Sequence, residues 1–297
     1  MRSLGTLVKR NCKLFFKDKG MFFTSLITPV ILLVLYATFL ADIYRDSFVG
    51  ALGSFAVEDR LINATVTGQL VSSLLAVCCV TVAFCSNLLM VNDKITGAIR
   101  DLTMTPVSRA ALGLSYFLAT AVSTLLVCFT ALGVCLLYLS TQGWYLTAVD
   151  VLLLCLDVVL LVLFGTALSS IISYPLTTPG QASAVGTIVS AGYGFLCGAY
   201  MPISNFGEGL QKVLSFLPGT YGTALLRNHA MRGCYAEMLR VGFPEQVVEA
   251  IRDSIDCNLY FFGNKVEVPV MFGILAGSVA VLTLLYGIIC SFHKKKG

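Results

Sequence analysis

Residue types that carry most enzyme chemistry are scarce in this chain, and they do not cluster. Among 297 residues there are two histidines, His229 and His293, which lie far apart in the sequence. The sequence contains no Gly-x-x-x-x-Gly-Lys-Ser/Thr phosphate loop, no His-Glu-x-x-His zinc motif and no Gly-x-Ser-x-Gly elbow. Its 11 cysteines include no Cys-x-x-Cys pair. We therefore predict no catalytic residue, no metal site and no cofactor bound to this chain.

One short segment, residues 92–109, concentrates charged and turn-forming residues between two long apolar stretches, and we call it the connector. Its charged residues are Asp93, Lys94, Arg100, Asp101 and Arg109. Gly97 and Pro106 punctuate the segment, which predicts a compact turn structure. A rigid knob of this kind would suit the transmission of force from a protein partner. The alternative interpretation is an ordinary solvated turn.

Asp157 is the acidic residue that lies deepest within an apolar stretch, roughly two turns beyond Asp150. An ionisable side chain at membrane depth is costly and by default marks a functional site, so Asp157 is a candidate for a transport pathway. Two alternatives stay open: water reaches the side chain near the interface, or it forms a hydrogen bond with a neighbouring helix.

The composition places these residues in a lipid bilayer. Hydrophobic residues make up 57% of the chain and charged residues 12%, and the mean hydropathy is +0.85. Soluble domains carry roughly 25% charged residues. The stretch Met21 to Leu40 contains no charge, and a helix of that length would span ~30 Å, the thickness of the hydrocarbon core.

We predict an all-α membrane protein, because backbone polar groups in lipid must be satisfied within each segment and no strand-like alternation is visible. The expected spans are six helices at about 21–40, 67–91, 110–139, 149–172, 182–201 and 268–291. The uncharged run from Val158 to Gly207 is too long for one span. Its prolines at 175 and 179 supply the break.

The distribution of Lys and Arg predicts the orientation. One side carries Arg2, Lys9, Arg10, Lys13, Lys17, Lys19, Lys94, Arg100, Arg109, Lys294, Lys295 and Lys296. The short loops of the other side carry only Arg45 and Arg60. By the positive-inside rule, we expect a multi-pass protein of the cell membrane with both termini in the cytoplasm. The long segment 202–267 is then external.

The first 20 residues are expected to form an amphipathic helix that lies in the cytoplasmic membrane interface. Apolar residues recur at helical spacing over three turns, and most basic residues fall on the other face. The residues assigned to this interfacial helix are Lys9, Arg10, Lys13, Phe15, Phe16 and Lys17. The alternative is ordinary flanking charge of the kind that the positive-inside rule describes.

The external segment 202–267 is too polar to span the membrane, although apolar residues occur in patches. Pro218-Gly219 interrupts it, which predicts two short helices that dip into the outer leaflet as a re-entrant hairpin. Pro244 is expected to open another helix. Because Cys234 and Cys257 are the two external cysteines, a disulfide between them is predicted, with two free thiols as the alternative.

The connector carries a family resemblance. Its run DKITGAIRDLTMTPVSR resembles the pattern acid-basic-x-x-Gly-Thr-Leu-x-x-Leu-x-x-Thr-Pro-Val-Ser-Arg of type-2 ABC exporter permeases. Asp93 stands where the family usually has Glu, Ala98 replaces Thr, and Ile95 replaces a frequent second acid. The run MPISNFGEGLQKVLSFLPGTYGTALLR, residues 201–227, is similar to the re-entrant segment after the fifth span.

The resemblance covers the chain and implies a single permease domain, residues 1–297, of an ATP-driven exporter. Two such subunits, identical or homologous, would form the translocation pathway in the lipid membrane. ATP and Mg²⁺ would be bound by a separate ABC ATPase subunit on the cytoplasmic side. The connector residues implied to couple to that ATPase are Asp93, Lys94, Gly97, Arg100, Asp101, Leu102, Thr105, Pro106 and Arg109.

Two other function classes are alternatives to a permease. A membrane enzyme acting on a lipid-like substrate would need clustered carboxylates or histidines near an interface, and the sequence has none. A secondary transporter would need charged or broken-helix sites at mid-membrane, for which Asp157 and Pro29 give thin support. No nucleic-acid partner is predicted. The sequence does not select a substrate, although we favour a small amphipathic molecule.

Overall fold

The computed structural model describes residues 2–36, 38, 41–42, 45–46, 58–105 and 107–292. Within these ranges the protein is nearly all helical. The helices are α1 (Arg2–Lys17), α2 (Lys19–Leu35), α3 (Asp59–Ile95), α4 (Ala98–Thr103), α5 (Arg109–Gln142), α6 (Ala148–Ser173), α7 (Pro179–Leu196), α8 (Glu208–Leu214), α9 (Pro218–Arg240), α10 (Glu245–Ser254) and α11 (Val268–Phe292). A short 3₁₀ turn spans Ile203–Asn205, and strands β1 (Leu259–Phe261) and β2 (Asn264–Val266) form an antiparallel pair.

Four of the described helices are long and apolar enough to cross a membrane: α3, α5, α6 and α11. A fifth span is possible if α1 and α2, which meet at an angle of 72°, are taken as one bent unit. The six-span count is therefore not confirmed. The predicted span at 21–40 reaches beyond α2 into positions that the structure does not describe. α7, which corresponds to the span predicted at 182–201, is rich in glycine and serine. It is not among the helices that are long and apolar enough to cross a membrane.

Helix α3 forms the centre of the bundle, and α2, α5, α6, α7 and α9 pack around it. It has 37 residues and is roughly 55 Å long, so it extends well past a ~30 Å hydrocarbon core. Small side chains allow the neighbouring helices to approach closely. At Gly165 of α6, for example, a Cβ atom would lie 3.0 Å from the carbonyl oxygen of Cys79 in α3.

The N-terminal residues form a helix, α1, which packs mainly against α5. Phe15 is buried, whereas Lys9, Lys13 and Lys17 are exposed. Phe16, which the sequence placed on the same apolar stripe as Phe15, is also exposed. Asp18 then caps α2 by accepting a hydrogen bond from the Met21 amide at 3.1 Å, which fixes the bend between the two helices.

The segment after α7 differs from the predicted pair of short helices. α8 is short, but α9 has 23 residues and packs inside the bundle against α3, α6 and α11. Pro218 begins α9 instead of interrupting a helix, because the first turn needs no amide donor at that position. The re-entrant arrangement in a membrane therefore remains a prediction, with its second arm much longer than expected.

Beyond α9 the chain forms α10 after Pro244, as predicted, and then a small hairpin that the sequence interpretation did not include. Phe262 and Gly263 form its two-residue turn, with φ values of 49° and 85°. Positive φ at both positions is typical of a type I′ turn, where Asn-Gly is the usual pair. Because phenylalanine occupies the first position, the hairpin lacked its strongest sequence signal.

Candidate functional site: the connector and the helix packed beside it

The connector folds as a short helix held between two turns. α3 ends at Ile95, and Gly97 then takes a left-handed conformation with φ of 81° before α4 begins. A Cβ atom at Gly97 would meet nothing within 4 Å, so the requirement for glycine comes from the backbone angle alone. At the other end, Ser108 caps α5 by accepting a hydrogen bond from the Ala111 amide at 3.2 Å. Pro106 lies outside the described residues.

α4 has one face seated on the bundle and one face in the open. Ile99 and Leu102 pack against a buried apolar cluster. That cluster consists of Leu89, Met90, Leu112 and Tyr116. On the open face Arg100 and Asp101 are exposed, and Met104 is 87% exposed. The connector is thus a small projection whose base is fixed to α3 and α5.

Asp93 joins the connector to α1. Its carboxylate accepts a hydrogen bond from Arg10 Nη1 at 2.7 Å and another from the Tyr116 hydroxyl at 2.5 Å. The Asp93 side chain is 9% exposed and the Arg10 side chain 30%. Asn11 extends the network by accepting from Arg10 and donating to Ser115 Oγ at 3.3 Å. Arg10 was predicted as part of the interfacial helix and Asp93 as part of the connector. Their ion pair therefore links these two separately predicted features.

Lys94 points the other way, towards the turn between α6 and α7. Its Nζ donates to the carbonyl oxygen of Tyr174, and the ammonium lies 5.0 Å from the centre of the Tyr174 ring. The turn at 173–178 and the connector thus lie at the same end of the bundle. With both termini in the cytoplasm, the six predicted spans put this turn on the connector's side of the membrane, and the Lys94 contact agrees with that expectation.

The remaining predicted connector residues take local roles. Thr105 Oγ1 donates to the carbonyl oxygen of Leu102 at 2.6 Å and helps to close the turn after α4. Arg109 begins α5 and is exposed. Sequence reasoning missed Tyr116 and Asn11, whose contacts depend on how α1 crosses α5. No local pattern encodes that crossing.

A second polar contact joins Asp157 of α6 to α9. Asp157 Oδ2 lies 2.6 Å from His229 Nδ1, and both side chains are buried. The His229 ring lies 5.7 Å from the ring of Phe272 in α11. This geometry matches the alternative in which the acid bonds to a neighbouring helix, and the pathway role stays a prediction. Among the described residues, no group of three or more His, Cys, Asp or Glu side chains could hold a metal ion.

Arg227 of α9 is a deeply buried arginine, 1% exposed, and it ties three elements together. It donates to the carbonyl oxygens of Gly198 at 2.5 Å and Ile255 at 2.9 Å, and to Ser73 Oγ at 3.2 Å. Asp256 lies 3.6 Å away, and its burial raises the pKa of its carboxyl group. The arginine that closes the segment resembling the family pattern is therefore a structural tie between α3, α9 and the chain beyond α10.

The disulfide predicted between Cys234 and Cys257 is not formed in the structure. Both residues are buried free thiols. Cys257 Sγ lies 3.2 Å from the Tyr235 hydroxyl, and Cys234 forms a hydrogen bond with Thr65. Each sulfur has a separate polar neighbour because α9 carries Cys234 against α3, whereas Cys257 lies beyond α10.

A comparison with protein families decides the class of this chain. The model of the family described as ABC-2 type transporter matches residues 2–230, from α1 through most of α9. The chain belongs to the ABC-2 type transporter family. No curated protein and no solved structure gives a significant match.

Membership identifies the chain as a transmembrane permease component of an ABC transporter, a part that is not itself catalytic. Members of the ABC-2 family generally work with an ABC ATPase partner. The apolar helices and the family together support a multi-pass membrane protein. In this ABC-2 permease the match includes the connector, the ion pair of Arg10 with Asp93, and the pair of Asp157 with His229.

Proposed function

We propose that this chain is the membrane subunit of an ATP-driven exporter and that the connector is the surface on which a separate ABC ATPase docks. The observation that carries the proposal is the form of α4. It projects Arg100, Asp101 and Met104 from the bundle, while Ile99 and Leu102 hold it against α3 and α5. A small helix exposed on one side and fixed on the other transmits a push without deforming.

The contacts around α4 suggest three routes by which a push would spread. Because Ile99 and Leu102 pack on residues of α3 and α5, a force on α4 would pass directly to these two helices. The Asp93–Arg10 ion pair would carry movement to α1, and the contact of Lys94 with Tyr174 would carry it to the turn between α6 and α7. In this proposal ATP and Mg²⁺ bind in the partner, and ATP binding there closes the ATPase dimer and opens the pathway outward.

A second permease subunit, identical or homologous, completes the proposed transporter. The support comes from α7, in which only Ala182, Tyr193 and Gly194 are buried. Its Ile188 is 70% exposed, although the helix lies against the central α3. A helix so poorly covered by its own chain needs another apolar surface. We assign that surface to the second subunit, with lipid covering α11.

The proposal also sets the orientation and the role of α1. The connector and both termini face the cytoplasm of the cell, where the ATPase has access to ATP. Lys9, Lys13 and Lys17 are exposed on α1, and in this arrangement they meet lipid phosphates and the edge of the ATPase groove.

The test is co-purification with an ABC ATPase encoded beside this chain. The permease should retain that ATPase through purification and change its rate of ATP hydrolysis in lipid nanodiscs. Reversal of both charges on α4, R100E with D101K, should abolish retention while leaving membrane insertion intact. S140E, at the far end of α5, is the matched control and should change nothing. Equal retention by the α4 variant and the control would refute the proposal.

A further inference from the structure

A cleft lies beside the connector, where α4 and the beginning of α5 face the end of α11. It has a volume of about 720 Å³, within the ~300–1,000 Å³ typical of small-molecule sites. Its walls include Met90, Lys94, Arg109, Leu112, Tyr174 and Ile289. Neither Arg10 nor Asp93 lines it, so the cleft is distinct from the ion pair that joins α1 to the connector.

Two cationic side chains line the cleft and keep accessible surface. Arg109 is exposed and Lys94 is partly exposed. Arg109 lies close enough to Tyr174 to interact electrostatically with its phenol, and the Lys94 ammonium lies 5.0 Å from the centre of the same ring. No Asp or Glu is among the described residues that line the cleft. The wall therefore carries positive charge without a negative side chain, and it favours an anion.

Lys94 has no acidic partner among the residues that the structure describes. Its Nζ donates to the carbonyl oxygens of Tyr174 and, at 3.5 Å, of Leu176, both of which are neutral. An ammonium group has three donors, so at least one remains for a ligand. A partly buried charge whose partners are all neutral is stabilised by an anion placed beside it.

The cleft lies at the depth of lipid headgroups. α6 and α11 have 26 and 25 residues, so they are ~39 Å and ~37 Å long. A bilayer is ~30 Å thick across its hydrocarbon core and ~40–45 Å thick with its headgroup regions. The ends of both helices therefore fall among the headgroups. The cleft is lined there by Tyr174, directly after α6, and by Ile289 in the last turn of α11.

Below the two cations the wall is apolar. Lys94 is the last residue but one of α3, and Arg109 is the first residue of α5. Met90 lies ~6 Å deeper than Lys94 along α3, and Leu112 lies ~4.5 Å deeper than Arg109 along α5. Ile288 is 51% exposed, so α11 continues the apolar surface towards the membrane. Charge at the rim and apolar surface below it match a phospholipid, whose phosphate lies above its acyl chains.

Two other occupants fit the cleft less well. A free phosphate ion would meet the cations but would gain nothing from the apolar wall. The chain that continues from α11 contains Lys294, Lys295 and Lys296 and no acid, so its charge has the wrong sign.

We propose that the cleft binds an anionic phospholipid of the cytoplasmic leaflet, with its phosphate between Lys94 and Arg109 and an acyl chain against Leu112 and Ile289. The cytoplasmic leaflet is rich in anionic lipids, and basic pockets between membrane helices bind their headgroups. Because Ile99 of α4 also lines the cleft, the bound lipid bridges the connector and α11. The inference goes beyond the proposed function, since the site needs no ATPase. Only the choice of leaflet depends on the proposed orientation.

The test uses phosphatidylglycerol that carries a diazirine on its acyl chain, close to the glycerol. Purified permease, without any ATPase, is reconstituted in phosphatidylcholine nanodiscs with a subsaturating amount of this probe and illuminated. Labelling should map to peptides from the beginning of α5 and the end of α11. K94Q and R109Q should each lower this labelling about fivefold, the value of one basic residue near an anionic surface. R109K keeps the charge and should retain most of the labelling, which separates a loss of charge from a change in the fold.

K19Q is the matched control, because it removes the same charge as K94Q at the same end of the bundle. Lys19 begins α2 and is exposed, and it does not line the cleft. Its neighbour Met21 contacts Asn92 at 3.6 Å, which places the start of α2 near the connector. Labelling of K19Q should equal that of the unmodified chain.

Four results would overturn the inference: labelling that maps elsewhere, equal labelling of R109Q and K19Q, an equal loss in R109Q and R109K, or equal labelling by a phosphatidylcholine that carries the same diazirine. Competition by millimolar inorganic phosphate would also overturn it, because the site would then take a soluble anion. Since no ATPase takes part, the proposed coupling function would stand in each case.

Discussion

The ion pair of Arg10 with Asp93 gives the most specific test of how α1 is joined to the connector. Its closest N–O distance is 2.7 Å, and Asp93 also accepts from Tyr116. A hydrogen bond to a charged group stabilises a fold by about 1.5–3 kcal/mol. Since the Arg10 side chain is 30% exposed, water compensates for part of the loss. R10M should therefore lower the free energy of unfolding by about 1–3 kcal/mol.

A double-mutant cycle separates the pair from other effects of the substitution. D93N removes the charge while keeping an oxygen that accepts from Tyr116. R10M in the D93N background should then cost less than R10M alone, with a coupling energy of about 1 kcal/mol or more. The assay is a denaturant titration of the purified permease in bicelles. R10M should also reduce the effect of the permease on ATP hydrolysis by its partner.

The control is K13M, which removes an exposed lysine from the same helix. Substitutions at such surface positions usually stay within about 0.5 kcal/mol. If R10M and K13M destabilise the permease equally, or if the coupling energy is zero, the ion pair does not hold α1 to the connector. The proposed route through α1 would then be withdrawn.

Three further predictions concern other parts of the chain. G97V places a β-branched residue at φ of 81°. It should lower the free energy of unfolding by about 1–2 kcal/mol and slow ATP hydrolysis by the partner. No loss in either assay would contradict this prediction. H229F leaves Asp157 buried without its partner and should cost about 3–5 kcal/mol, whereas the double variant H229F/D157L should recover most of that loss in the same titration. F262N fits the type I′ turn better and should raise stability by about 0.5–1 kcal/mol; a decrease would show that the phenylalanine side chain stabilises the hairpin.

The features that could be predicted from the sequence are those encoded locally. Long uncharged runs predicted the spans that appear as α3, α5, α6 and α11, because hydropathy is a sum over neighbouring residues. The turn at Gly97 followed from a glycine in the short polar segment between two apolar runs. The start of α10 after Pro244 followed from the same kind of local signal.

The features that could not be predicted depend on which helices meet. Arg10 and Asp93 are 83 positions apart, and Asp157 and His229 are 72 apart. Their pairing is decided by the packing of α1 on α5 and of α9 on α6, which one sequence does not reveal. α9 itself was expected to be short because Pro218-Gly219 was interpreted as a break. Proline is also common in the first turn of a helix, so the Pro218-Gly219 pair does not distinguish the start of a helix from a break.

The most direct test of the central claim is photo-cross-linking from the tip of the connector. A benzoylphenylalanine residue in place of Met104 should cross-link the permease to its ABC ATPase, since that side chain, directly after α4, is 87% exposed. The same group in place of Thr141, at the opposite end of α5, should give no ATPase adduct. An ATPase adduct from position 141 alone, or from neither position in an active complex, would contradict the assignment of the connector as the docking surface.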